Sequence, residues 1–95
     1  MDEMQRQQIL AFTMEERREF IEPRIGKPIE AWLQEVKGRL VELRQEQAVA
    51  VQRQDVRAAM QICRRILGAE ITEARLEGIL YWEAQRQGAH HAPLT

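Results

Sequence analysis

Few side chains in this 95-residue chain have types and spacings that could do chemistry. Glu70, Glu73 and Glu77 recur at helical spacing and share one face of a helix. Carboxylates so arranged serve di-metal bundles, but those sites also need a Glu-x-x-His pair, which the chain lacks. The expectation is a solvated acidic face. His90 and His91 are adjacent on a terminal stretch without periodicity, and two neighbours of that kind do not close a coordination shell. Cys63 falls among apolar residues, which predicts a buried thiol rather than a nucleophile. HExxH, CxxC, GxSxG and GKS/T motifs are absent. The expectation is a non-enzyme with no catalytic residue, cofactor or metal.

Guanidinium is the remaining chemical signal. Arg53, Arg57, Arg64 and Arg65 lie in a stretch whose one acid is Asp55. Arg57, Gln61 and Arg64 form a polar stripe that could follow phosphates spaced a helical turn apart. The same residues also describe the solvated face of any Arg-rich helix. A net charge of −1 argues against a protein whose main role is coating nucleic acid. A helix-turn-helix with Gly68 in the turn fails, because Glu77 falls where an apolar residue is needed. Nucleic-acid contact through these four arginines is therefore the alternative function, and a small protein inhibitor of an enzyme is a second.

The elements that position these residues follow from composition and phase. The length allows one small domain with a modest core, which often borrows stability from a partner. Charged residues make up 31% and aromatics 5%, with few Gly or Pro, the profile of long surface-laced helices. One cysteine favours a reducing compartment. No apolar run reaches transmembrane length, and the polar start MDEMQRQQ lacks a signal-peptide core. A cytoplasmic protein is expected, or a virion component if phage-encoded. Twelve of the fourteen Lys and Arg residues are Arg, a codon-level trait of GC-rich bacterial or phage genomes.

Residues 1–22 read as an N-terminal helical arm, with Leu10, Met14 and Ile21 on one face and Phe12 and Phe20 beside it. Thr13-Met14-Glu15-Glu16 fits a capping box that could restart the helix there. Pro23 is expected to end the arm, and residues 23–28, PRIGKP, to form a connector. From Ile29 an apolar heptad runs through Leu33, Val36, Leu40, Leu43, Gln47 and Ala50. Continued, it meets Gln54, Arg57, Gln61 and Arg64, which are not core residues. Downstream, the apolar positions Val56, Met60, Cys63, Leu67, Ile71 and Ala74 keep the same spacing but are displaced by about 200°. A reversal at 52–55, with Asp55 capping the returning helix, lets the stripes face each other. A continuous rod with partners on alternating sides is the competing reading.

The expected fold is all-α: a long antiparallel helical hairpin over 29–88, an added N-terminal helix, a flexible tail at 89–95, and oligomerisation to cover what a lone hairpin leaves bare. Pairing back from the turn sets Leu43 near Cys63, Leu40 near Leu67 and Leu33 near Ala74. Gly68 or Thr72 could interrupt the second arm. Leu80, Tyr81 and Trp82 overhang the first arm, to be covered by the N-terminal helix or by a second subunit. The expected function is a non-catalytic helical interaction or structural protein, such as a phage or bacterial accessory component. It would self-associate or dock on another helical protein through Ile29, Trp32, Leu33, Val36, Leu40, Leu43, Leu80, Tyr81 and Trp82, with no membrane role.

Overall fold

The computed structural model describes residues 1–12 and 18–91, all of whose regular structure is helical. Four helices follow in order: α1 (Glu3–Phe12), α2 (Arg18–Ile25), α3 (Ile29–Gln52) and α4 (Val56–His91). The two long helices, α3 and α4, pack against each other and enclose the core. The particle measures 60 × 30 × 17 Å. None of the helices described is long and apolar enough to cross a membrane.

The helix does not run through the middle of the chain. Residues 53–55 interrupt it, and their hydrogen bonds show why no glycine is required. The Asp55 amide donates to the Ala50 carbonyl at 2.9 Å, and the Gln54 amide to Val51 at 3.0 Å. These are the paired bonds of a Schellman motif, in which Gln54 takes the left-handed residue's place with φ of 59°. Asp55 then begins α4, its Oδ1 accepting the Ala58 amide at 3.1 Å. One aspartate thus closes α3 and caps α4, at the position expected for the cap.

On α3 the heptad packs as its spacing requires: Ile29, Leu33, Val36, Leu40, Leu43 and Ala50 are buried, and Gln47 is half-buried. On α4 the expected stripe is corrected. The residues facing α3 are Ile62, Ile66, Ala69, Leu76 and Leu80, with Ile79 also in the core. Val56, Met60, Cys63, Leu67 and Ile71 lie outside, and Ala74 is the one member of the expected set that is buried. The proposed neighbours of Leu43 and Leu40, Cys63 and Leu67, are therefore exposed. Cys63 is an exposed free thiol, not a buried one. The physical reason is that a three-residue connection fixes the phase of α4 before its side chains choose a face, and the fixed phase turns Ala59, Ile62 and Ile66 inward.

Further corrections are local. Pro23 lies inside α2, which continues to Ile25. Pro23 and Glu19 are both exposed, so the missing proline N–H falls on the solvent side, where its loss costs least. α2 instead ends at Gly26, whose φ of 73° lets its amide reach the Glu22 carbonyl at 2.8 Å. α4 is unbroken through Gly68 and Thr72; the Thr72 hydroxyl donates to the Gly68 carbonyl at 3.0 Å instead of starting a new helix. It also continues past Gly88 to His91. The Thr13 capping box lies outside the described residues. A capping box does occur at the start of α1, where Asp2 Oδ1 accepts the Gln5 amide at 2.8 Å and Gln5 Oε1 accepts the Asp2 amide at 3.3 Å.

Candidate functional site

Most of the residues expected to contact a partner are used inside the chain. Ile29, Leu33, Val36, Leu40 and Leu43 are buried between α3 and α4, so a partner reaching them would have to separate the two helices. Trp32 is half-buried against this core. With Ile21, Ile25, Leu76 and Ile79 it lines a cleft of about 150 Å³ between α2, α3 and α4. That volume is below what a small-molecule site encloses. Leu80 packs on the core, Trp82 is half-buried and Tyr81 is exposed, its ring meeting that of Trp82 edge-on at 5.8 Å. Ile21 covers part of the core from α2, whereas Phe20 points to solvent.

The three carboxylates of α4 are not a bare solvated face. Glu70 accepts the amino terminus of Met1 at 3.1 Å, Arg6 lies 3.8 Å from Glu73, and Arg6 also donates to Glu77. Numbers on the two helices rise together, so α1 runs beside α4 in the same direction. The Glu77 carboxylate, bonded to the Arg6 guanidinium, raises the arginine's pKa further above its ordinary value. Among the described residues no group of three or more His, Cys, Asp or Glu converges to hold a metal.

Arg18 was not singled out by sequence, and it ties three helices together. Its guanidinium meets Glu22 at 2.9 Å within α2, both oxygens of Glu30 on α3 at 2.6 Å, and Glu83 on α4 at 2.8 and 3.0 Å. Forked pairing suits the planar guanidinium. The hydrogen bond to Arg18 holds the Glu30 carboxyl down at about 2 and lowers that of Glu83. Glu22 also acts through its Oε2, which accepts the Ile29 amide at 2.8 Å and supplies the cap that Pro28 cannot. These contacts join residues as far as 65 apart in sequence, which no local pattern reveals.

Among the described residues, none covers the outer stripe of α4. Val56 is 69% exposed, Met60 57%, Leu67 45% and Ile71 37%, with exposed Cys63 at the centre. Their steps of four and three place them on one helix face. Val51 of α3 joins them, lining a hollow of about 350 Å³ with Gln47, Val56, Ala59, Met60 and Cys63. On the far side of the stripe, Arg57, Gln61 and Arg64 line a second hollow with Val56 and Met60. The structure thus brings Arg57 and Arg64 to the edge of the stripe. Arg65 is about 100° further round the helix from Arg64, and Arg53 sits in the turn. All four are exposed, and none forms an ion pair with a described residue. No protein-family model matches this chain, and no curated protein or solved structure matches it either.

Proposed function

We propose that the chain is a non-catalytic helical docking module. Its α3–α4 pair acts as an antiparallel hairpin that holds the outer stripe of α4 against another helical protein. The observation that supports this reading is the stripe itself: Val56, Met60, Cys63, Leu67 and Ile71 stay exposed at steps of three and four on a helix whose opposite face is well packed. Apolar side chains left exposed side by side on one helix face mark interaction sites more often than singly scattered ones do. Ile29, Leu33, Val36, Leu40 and Leu43, first expected to serve as the interface, form the scaffold of the module.

The test is capture from the native host with the wild-type chain and with Met60→Asp/Leu67→Asp as bait, both confirmed helical by circular dichroism. A protein retained by the first and lost by the second, whose addition slows alkylation of Cys63, supports the module. Identical captures, with Cys63 equally reactive throughout, would discard it.

A second reading keeps the arginines as a nucleic-acid contact, because Arg53, Arg57, Arg64 and Arg65 are all exposed and without an ion pair to a described residue. Binding to DNA or RNA would then fall steeply with salt and with Arg57→Glu/Arg64→Glu. No shift at low salt would remove it.

A further inference from the structure

The outer face of α4 reverses its charge along its length. Residues 56–69 hold Arg57, Arg64 and Arg65 and no acid, whereas 70–83 hold Glu70, Glu73, Glu77 and Glu83 against Arg75. The acidic half is already occupied by a helix. Ala74 continues the spacing of the stripe and is buried where α1 lies, and Gly78, one turn on, is buried too. α1 meets that half with the opposite charge, the Met1 ammonium and Arg6 against Glu70, Glu73 and Glu77. The open half of the face is edged by arginine, and Asp55, which lines its end, is engaged as the cap of α4. Arg57 and Arg64 edge it on α4. Arg44, two turns before Val51 on the same face of α3, is exposed and has no ion pair with a described residue.

Resting on the docking reading above, we infer that the open half receives an acidic amphipathic helix of another protein, laid end to end with α1. Its apolar positions meet Met60, Cys63 and Leu67, and its flanking carboxylates meet Arg57 and Arg64. From Val56 to Ile71 the trough is about 23 Å long, enough for between two and three heptads. A second copy is a poor occupant. Laid antiparallel about Cys63, it sets Arg64 beside its own twin, and like charges facing each other oppose docking. The acidic outer face of α3 is no better as a match, because Arg39 already neutralises Glu42 at 3.1 Å and Glu46 at 3.9 Å. Nucleic acid explains the arginines but leaves five apolar residues without a role. No aromatic side chain stands among them to stack a base.

The experiment titrates the full chain into two fluorescein-labelled three-heptad helical peptides at low salt. Both carry leucine at the apolar positions; one has glutamate on the flanks and the other lysine. The glutamate peptide is expected to bind at least about tenfold tighter, to slow alkylation of Cys63, and to lose its advantage with Arg57→Glu/Arg64→Glu. Met60→Asp should remove both peptides. Equal binding of the two, both lost with Met60→Asp, overturns the acidic partner while leaving the docking reading intact. If neither peptide protects Cys63, both readings are overturned. An oligonucleotide whose binding needs Arg57 and Arg64 but not Met60 hands the rim to nucleic acid. A Cys63–Cys63 disulfide forming readily at low salt hands the stripe to a second copy.

Discussion

Gln54 holds the one positive φ outside glycine among the described residues, at 59°. For an L-residue this left-handed geometry costs about 1–2 kcal/mol, and glycine escapes it at some expense in chain entropy. Gln54→Gly keeps the amides that bond Val51 and Ala50, so unfolding free energy is expected to rise by about 0.5–1 kcal/mol. A lower urea midpoint would show that the glutamine side chain contributes something its exposure conceals. Gly38 is the reverse case: it sits inside α3 with open space where a Cβ would go, so Gly38→Ala should gain about 1 kcal/mol. Glu30 adds a pH dependence. Its carboxyl is lowered from 4.5 to about 2 by Arg18, so the pairing stabilises the fold fully above 4.5 and is lost as pH falls towards 2. The Glu30 side-chain carboxyl carbon resonance should therefore titrate with a midpoint near 2; a midpoint near 4.5 would mean that the pair does not form in solution.

At the scale of elements, α3–α4 and the α1/α2 cover are held by different forces. The long pair buries Leu40, Leu43, Leu76 and Ile79 almost completely, whereas α1 is fastened through Glu70, Glu73 and Glu77 and α2 through Arg18. Partly exposed ion pairs are individually weak and are screened by salt, which at about 1 M acts within about 3 Å. Amide exchange in α1 and α2 should accelerate at that salt while the middle of α3 stays protected; uniform behaviour would mean that apolar contacts carry the cover as well. This division also explains what could be read from sequence. α3 has one apolar stripe, so Ile29 to Leu43 were legible as core, and Asp55 as a cap, from local spacing alone. α4 has two stripes of equal periodicity, and periodicity cannot say which of Cys63 or Ile62 faces inward when the turn decides. The carboxylates of Glu70, Glu73 and Glu77 were visible as a face, but their partners lie at the other end of the chain. The outer stripe, the candidate site, was thus seen as a pattern and assigned to the wrong side.

For the whole molecule, the consequence is an unequal pair of halves. The end near Arg18 carries four helices, and the end near Asp55 carries two with an apolar face and a basic rim. Leu40 is 1% exposed in the shared core, and Leu40→Ala is expected to cost about 2–5 kcal/mol, read as a lower urea midpoint shared by both halves. On the proposed docking function, association runs through the open half. If two copies meet stripe to stripe, Arg57 and Arg64 of each are brought towards those of the other. At about 10 mM salt that repulsion acts over about 30 Å, and at about 1 M it is nearly gone, while burial of Met60 and Leu67 stays favourable. The chain should therefore sediment as a monomer at low salt and associate weakly at high salt, with Cys63 protected from alkylation as it does so. Met60→Asp should abolish the high-salt species. The opposite trend, a dimer at low salt that salt dissolves, would point to Glu42 or Glu46 of one copy meeting Arg57 or Arg64 of another, and then the basic rim would serve self-assembly.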